Sequence, residues 1–150
     1  MKKLAIFFIL ILCINGILFS QIFDENDITI SGHNGIHLGA SLGMRVNAVM
    51  DGIVMIANTD PMHQSHYGKF IVIKHLDGTS TLYACLKDVF VSKGQEVIVG
   101  QHIGNAGSTG KRLKPEFHFG YDGNGDGIFS RVNPADDPAK WLFQHMGIKL

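Results

Sequence analysis

A succession of short β-rich runs, punctuated by Asp-Gly turns, most constrains what this chain can become. Residues 44–49, 52–57, 69–75 and 79–85 are dense in β-branched and apolar side chains, which suit a pleated, half-buried surface. Asp51-Gly52 and Asp77-Gly78 fall where these runs meet, and Asp-Gly readily adopts the positive φ of tight hairpins. The run at 69–75 reads K-F-I-V-I-K-H. Its centre is apolar at successive positions, as expected for a strand covered on both faces. Further short strands fit 96–99, 102–106 and 116–121. Asp137-Pro138 is a good helix start, and Trp141, Leu142 and His145 fall on one helical face. The expectation is an all-β domain, an antiparallel sheet with a short C-terminal helix and no second domain.

Residues 1–20 have the form of a secretion signal. Lys2 and Lys3 are followed by an apolar run over 4–13, and Leu18-Phe19-Ser20 ends in a small residue before Gln21. The run is short for a membrane span and is interrupted by Asn15 and Gly16. Cys13 follows the bulky Leu12, which disfavours a lipidated cysteine. Cleavage would leave residues 21–150, 130 of 150, as one domain large enough to bury a core, and a secreted or periplasmic (cell envelope) location. Losing Lys2 and Lys3 from 13 bases leaves 11 against 13 acids. No basic stripe supports nucleic acid binding. With Cys85 the one thiol left, packing or metal must supply the stability that a disulfide would give.

Two groups of residues carry chemistry. His118 and Glu116 lie two apart in P-E-F-H-F-G, so on a strand both face one side. His33 and His37 lie in G-H-N-G-I-H, where Gly32, Gly35 and Gly39 argue for a loop. Three imidazoles beside a carboxylate is a set that zinc favours.

Taken in order, H-N-G-I-H, G-M-R-V-N-A-V-M-D-G-I-V, Y-G-K-F-I-V-I-K-H, T-L-Y-A-C-L, K-G-Q-E-V-I-V-G-Q-H-I-G-N-A-G-S-T-G, E-F-H-F and V-N-P resemble the LytM/lysostaphin family of zinc endopeptidases, which cut peptidoglycan cross-bridges. The resemblance covers 32–142 and implies an antiparallel sheet domain of the duplicated hybrid motif type, with a metal on a groove floor. It implies peptidoglycan peptides as substrate and one zinc ion as cofactor. The family's His, Asp, His ligands fall on His33, His37 and His118, so histidine stands where the family has aspartate. Its two assisting histidines are replaced by Cys85, in Y-A-C-L, and by Glu116.

These exchanges move the acid from one side of the metal to the other. One reading has His33, His37 and His118 hold zinc with one position left for water, and Glu116 take that water's proton. Another has Glu116 or Cys85 bind the metal and close the site. Cys85 also reads as a small buried residue ending a strand, and a thiol is too weak a donor to replace a protonated histidine. A non-catalytic wall-binding or regulatory module, working with cell-wall hydrolases, is the rival to a hydrolase. Without the metal, the three histidines would be ordinary loop and sheet residues.

Other features are less specific. Asp122, Asn124 and Asp126 stand at positions one, three and five of a calcium-loop opening, with Gly127 at six and Ser130 at nine; position twelve is Asn133, and Asp136 or Asp137 would have to fold back to complete the shell. A hairpin tip is the alternative. Tyr83 is a candidate substrate-groove residue, or else a core tyrosine with a bonded hydroxyl. His63 and His66 fit a solvated loop, and Lys111, Arg112 and Lys114 a basic turn. His75, His102 and His145 read as structural or surface residues. Residues 46–54 and 91–101 also fit turns of lipoyl- or biotinyl-carrier domains, without the exposed tip lysine those require.

Overall fold

A computed structural model describes residues 28–30, 35–62, 67–110, 114–126, 129 and 136–146. The signal-like segment 1–20, with Cys13, lies outside them, as do His33, His63, His66, Lys111, Arg112, Gly127, Ser130 and Asn133.

Nine strands are described: β1 (Ile28–Ile30), β2 (Ile36–Gly39), β3 (Arg45–Asn47), β4 (Gly52–Asn58), β5 (Lys69–His75), β6 (Ser80–Val89), β7 (Glu96–Val97), β8 (His102–Ala106) and β9 (Glu116–Asp122). Helix α1 (Pro138–Met146) follows. The main path through the sheet runs β1-β2-β9-β6-β5-β4-β7, with β8 joining β3 to β6. Every pairing is antiparallel. Among the described residues the architecture is therefore the expected antiparallel sheet with a short C-terminal helix.

Alternation along three neighbouring strands separates core from site. Ile36 and Leu38 of β2, Phe117 and Phe119 of β9, and Tyr83 of β6 belong to the main apolar core. His37, Glu116, His118 and Ala84 occupy the intervening positions, and Ala84 joins a smaller cluster with Phe70 and Leu82. A period of two places the latter set on the opposite face. Helix α1 closes over the core. Asp137 Oδ1 accepts from the Lys140 amide at 3.0 Å, satisfying a first-turn donor. Trp141 then lies against Phe119 and Tyr121, with ring centres 5.9 and 5.2 Å away.

One expectation is corrected. His37 is not a loop residue: 36–39 form β2, paired with both β1 and β9. The glycines flank a short I-H-L alternation whose two apolar members are buried, and that burial outweighs the turn preference of the flanks.

Candidate metal centre

His37 and His118 are direct cross-strand partners, and Ala84 sits opposite His118 on its other side. Such partners project their side chains together from one face. His37 Nε2 lies 3.3 Å from His118 Nδ1, with ring centres 4.6 Å apart and both side chains buried. A tetrahedral ion bound to two nitrogens at about 2.0–2.1 Å holds them about 3.3–3.4 Å apart. The observed spacing matches that edge and is also within reach of a hydrogen bond between the rings. The pair therefore fits two corners of a zinc site.

Gly35 makes room for this arrangement. A Cβ there would meet His118 Nε2 and the Phe119 carbonyl oxygen. Its φ of +149° is also one that side-chain-bearing residues rarely adopt.

Glu116 Oε1 stands 3.1 Å from His37 Nδ1, the nitrogen on the other side of the ring from the one facing His118. The approach is close without being aligned as a hydrogen bond. The same oxygen lies 4.0 Å from Cys85 Sγ, so the acid and the thiol adjoin on the His37 side of the site. Cys85 reaches it through a bulge. Tyr83 and Leu86 of β6 pair with Ile71 and Lys69 of β5, so β6 spends three steps against two. Cys85, inside that excess, has φ +62°, and its amide donates to the Tyr67 carbonyl at 2.9 Å. Bulges redirect side chains in this manner and recur beside functional sites.

Tyr83 does not line a groove. It is fully buried, its hydroxyl accepts from the Val49 amide at 3.0 Å and lies 3.1 Å from the Thr81 hydroxyl. Burial raises its pKa to about 12, against the lowering effect of those bonds. Alternation on β6 turns it to the core, while Tyr67 stands beside the histidines with its ring centre 5.4 Å from that of His118. Burial, and then the Cys85 thiol, push the Tyr67 hydroxyl pKa upward. Tyr67 was visible in Y-G-K-F-I-V-I-K-H, but nothing in that motif tells which tyrosine faces the site.

The 122–126 loop closes on itself. Asp122 Oδ1 accepts from the Gly125 amide at 2.7 Å, Asp136 Oδ1 from the Gly123 amide at 3.0 Å, and Asp126 Oδ2 from Asn124 Nδ2 at 2.8 Å. The Lys74 ammonium donates to the carbonyls of Gly78 and Gly125. These bonds suit a hairpin tip, while Asp136 folds onto the loop as a shell-completing carboxylate would. Among the described residues, no group of three or more His, Cys, Asp or Glu is placed to hold a metal; the third zinc candidate, His33, lies outside them.

The model of Peptidase family M23 matches residues 31–130, and the chain belongs to that family. It is 33% identical over 90 residues to the peptidoglycan DD-endopeptidase ShyA of Vibrio cholerae, covering 60% of this chain and 20% of that one. It is 32% identical over 108 residues to the murein hydrolase activator EnvC of Escherichia coli, covering 72% and 23%. Among solved structures, the catalytic domain of the antimicrobial peptidase lysostaphin from Staphylococcus simulans superposes with a TM-score of 0.61 at 26% identity, covering 75% of this chain and 79% of that one. The chain thus spans about a fifth to a quarter of the curated relatives' length.

Proposed function

We propose that this chain is a zinc-binding, peptidoglycan-directed peptidase domain whose site uses histidine where its family uses aspartate. The carrying observation is the 3.3 Å spacing of His37 Nε2 and His118 Nδ1 on paired strands. His33, His37 and His118 would hold one zinc ion. When bound, zinc polarises a peptide carbonyl and lowers the pKa of water toward neutrality. Three neutral imidazoles bring no negative charge, and Glu116 supplies a carboxylate next to them. Glu116, with Cys85 as its neighbour, is the candidate base for water attacking a stem or cross-bridge peptide only where its carboxylate turns from His37 Nδ1 toward the ion. Residues 1–20 would direct export to the cell envelope. Among the described residues no helix is long and apolar enough to cross a membrane.

A second reading is a non-catalytic wall-binding or regulatory module, acting with cell-wall hydrolases. The similarity to EnvC favours it, as do Cys85 and Glu116 at the positions of both assisting histidines.

The deciding experiment loads the purified mature domain with zinc, measures metal content, and incubates it with cross-linked wall peptides. Zinc uptake with cleavage, both lost in His118→Ala, supports the hydrolase. Uptake without cleavage of any peptide favours the module. No uptake overturns the zinc site.

A further inference from the structure

The Glu116 contact carries more than a choice between base and ligand. Its Oε1 lies at His37 Nδ1, while His37 Nε2 points at His118 Nδ1. The two nitrogens of an imidazole point away from each other, so that oxygen sits behind the ring as seen from His118. From there it is poorly placed to coordinate an ion between the two imidazoles; it stands at ion-pair distance from Nδ1 without being aligned there as a hydrogen bond, so it acts on the ring through its charge. We propose that Glu116 is a positioning residue for His37: it fixes the hydrogen on Nδ1 and leaves the Nε2 lone pair turned toward His118. The metal consequence rests on the zinc reading above; the pairing itself does not.

Several features agree. Neutral imidazole carries one hydrogen, and a carboxylate at Nδ1 selects the form with the hydrogen there. His118 Nδ1 then donates to His37 Nε2 in the metal-free protein, and the proton between the rings occupies the place a dication would take. His37 is buried, whereas the Glu116 side chain is 21% exposed, so the acid keeps partial solvation. Glu116 is also anchored by its backbone, whose amide donates to the Gly107 carbonyl at 3.0 Å. Carboxylates behind ligating histidines are a general device for fixing ring orientation and raising ligand basicity. The negative charge that histidine at position 37 removes from the ligand set would thus return one ring further out.

Nitrogen-15 NMR of the metal-free protein reads the His37 tautomer directly, with His37→Gln to assign the signal. The wild type should show hydrogen on Nδ1. Glu116→Ala should shift His37 toward the other tautomer, and Glu116→Gln, which keeps an oxygen beside Nδ1 without the charge, should shift it less. Zinc affinity by chelator competition should fall about 10–100-fold in Glu116→Ala and less in Glu116→Gln. Hydrogen on Nε2 in the wild type, or a tautomer unmoved by Glu116→Ala, overturns the proposal. So does a loss of cleavage in both variants at unchanged zinc affinity, which would assign Glu116 as base only. If the wild type takes up no zinc, the metal reading fails while the tautomer comparison still decides the pairing.

Discussion

His37 and His118 meet Nε2 to Nδ1 at 3.3 Å because β2 and β9 pair in direct register at those two residues. One backbone step of slippage would turn one ring into the apolar core. Replacing either histidine by alanine should therefore cut zinc affinity by more than the roughly 10–100-fold typical of an outer partner. Metal content after dialysis against a chelator checks this. Retention of a full equivalent of zinc by either variant would place the metal elsewhere.

Gly35→Ala tests the close approach behind His118. The new Cβ would meet His118 Nε2 and the Phe119 carbonyl at a φ of +149°, and such backbone strain costs about 1–3 kcal/mol. Urea midpoints should fall accordingly, and zinc affinity with them, because the obstructed ring is a ligand candidate. A variant as stable as the wild type would mean that the segment relaxes freely.

Tyr83→Phe separates core from groove. Removing the hydroxyl strips the Val49 amide of its acceptor and the Thr81 hydroxyl of its neighbour, and an unsatisfied buried group costs about 1–3 kcal/mol. Denaturant unfolding should show the loss, with zinc affinity of the folded protein unchanged. An undiminished midpoint accompanied by weakened binding of wall peptides would restore Tyr83 to the groove.

Acid should weaken the fold through His75. Burial holds its pKa below the ordinary 6.5, against the raising effect of its bond to the Asp51 carbonyl. That carbonyl takes the Nδ1 hydrogen at 2.8 Å, leaving Nε2 to accept from Thr81 at 2.8 Å. Above 6.5 the residue is neutral whether folded or unfolded, and its contribution is complete. Between 6.5 and the lower folded value only the unfolded chain takes the proton, so stability falls as pH falls. Urea midpoints of the wild type and His75→Gln should converge as pH drops through that window; a constant gap would exclude His75 as the cause.

Much of the fold was legible. The run at 69–75 coincides with β5, and those at 52–57, 102–106 and 116–121 match β4, β8 and β9 to within a residue. Asp137-Pro138 opens α1 as expected. Strand alternation and helix caps are local, so they survive in a linear reading. The β2 strand was hidden because three residues of alternation between glycines resemble a loop until a partner strand is supplied.

The order of residues determined which segments extend, where the chain turns, and that Glu116 and His118 would share a face, since a period of two is built into the extended backbone. Tertiary structure alone decided that His37 lies opposite His118, that Cys85 swings to the acid through a bulge, and that Tyr67 rather than Tyr83 flanks the imidazoles. Each of these depends on pairing between residues distant in sequence. Such register is set by how whole strands bury their apolar faces together, a sum over the sheet that no single motif contains.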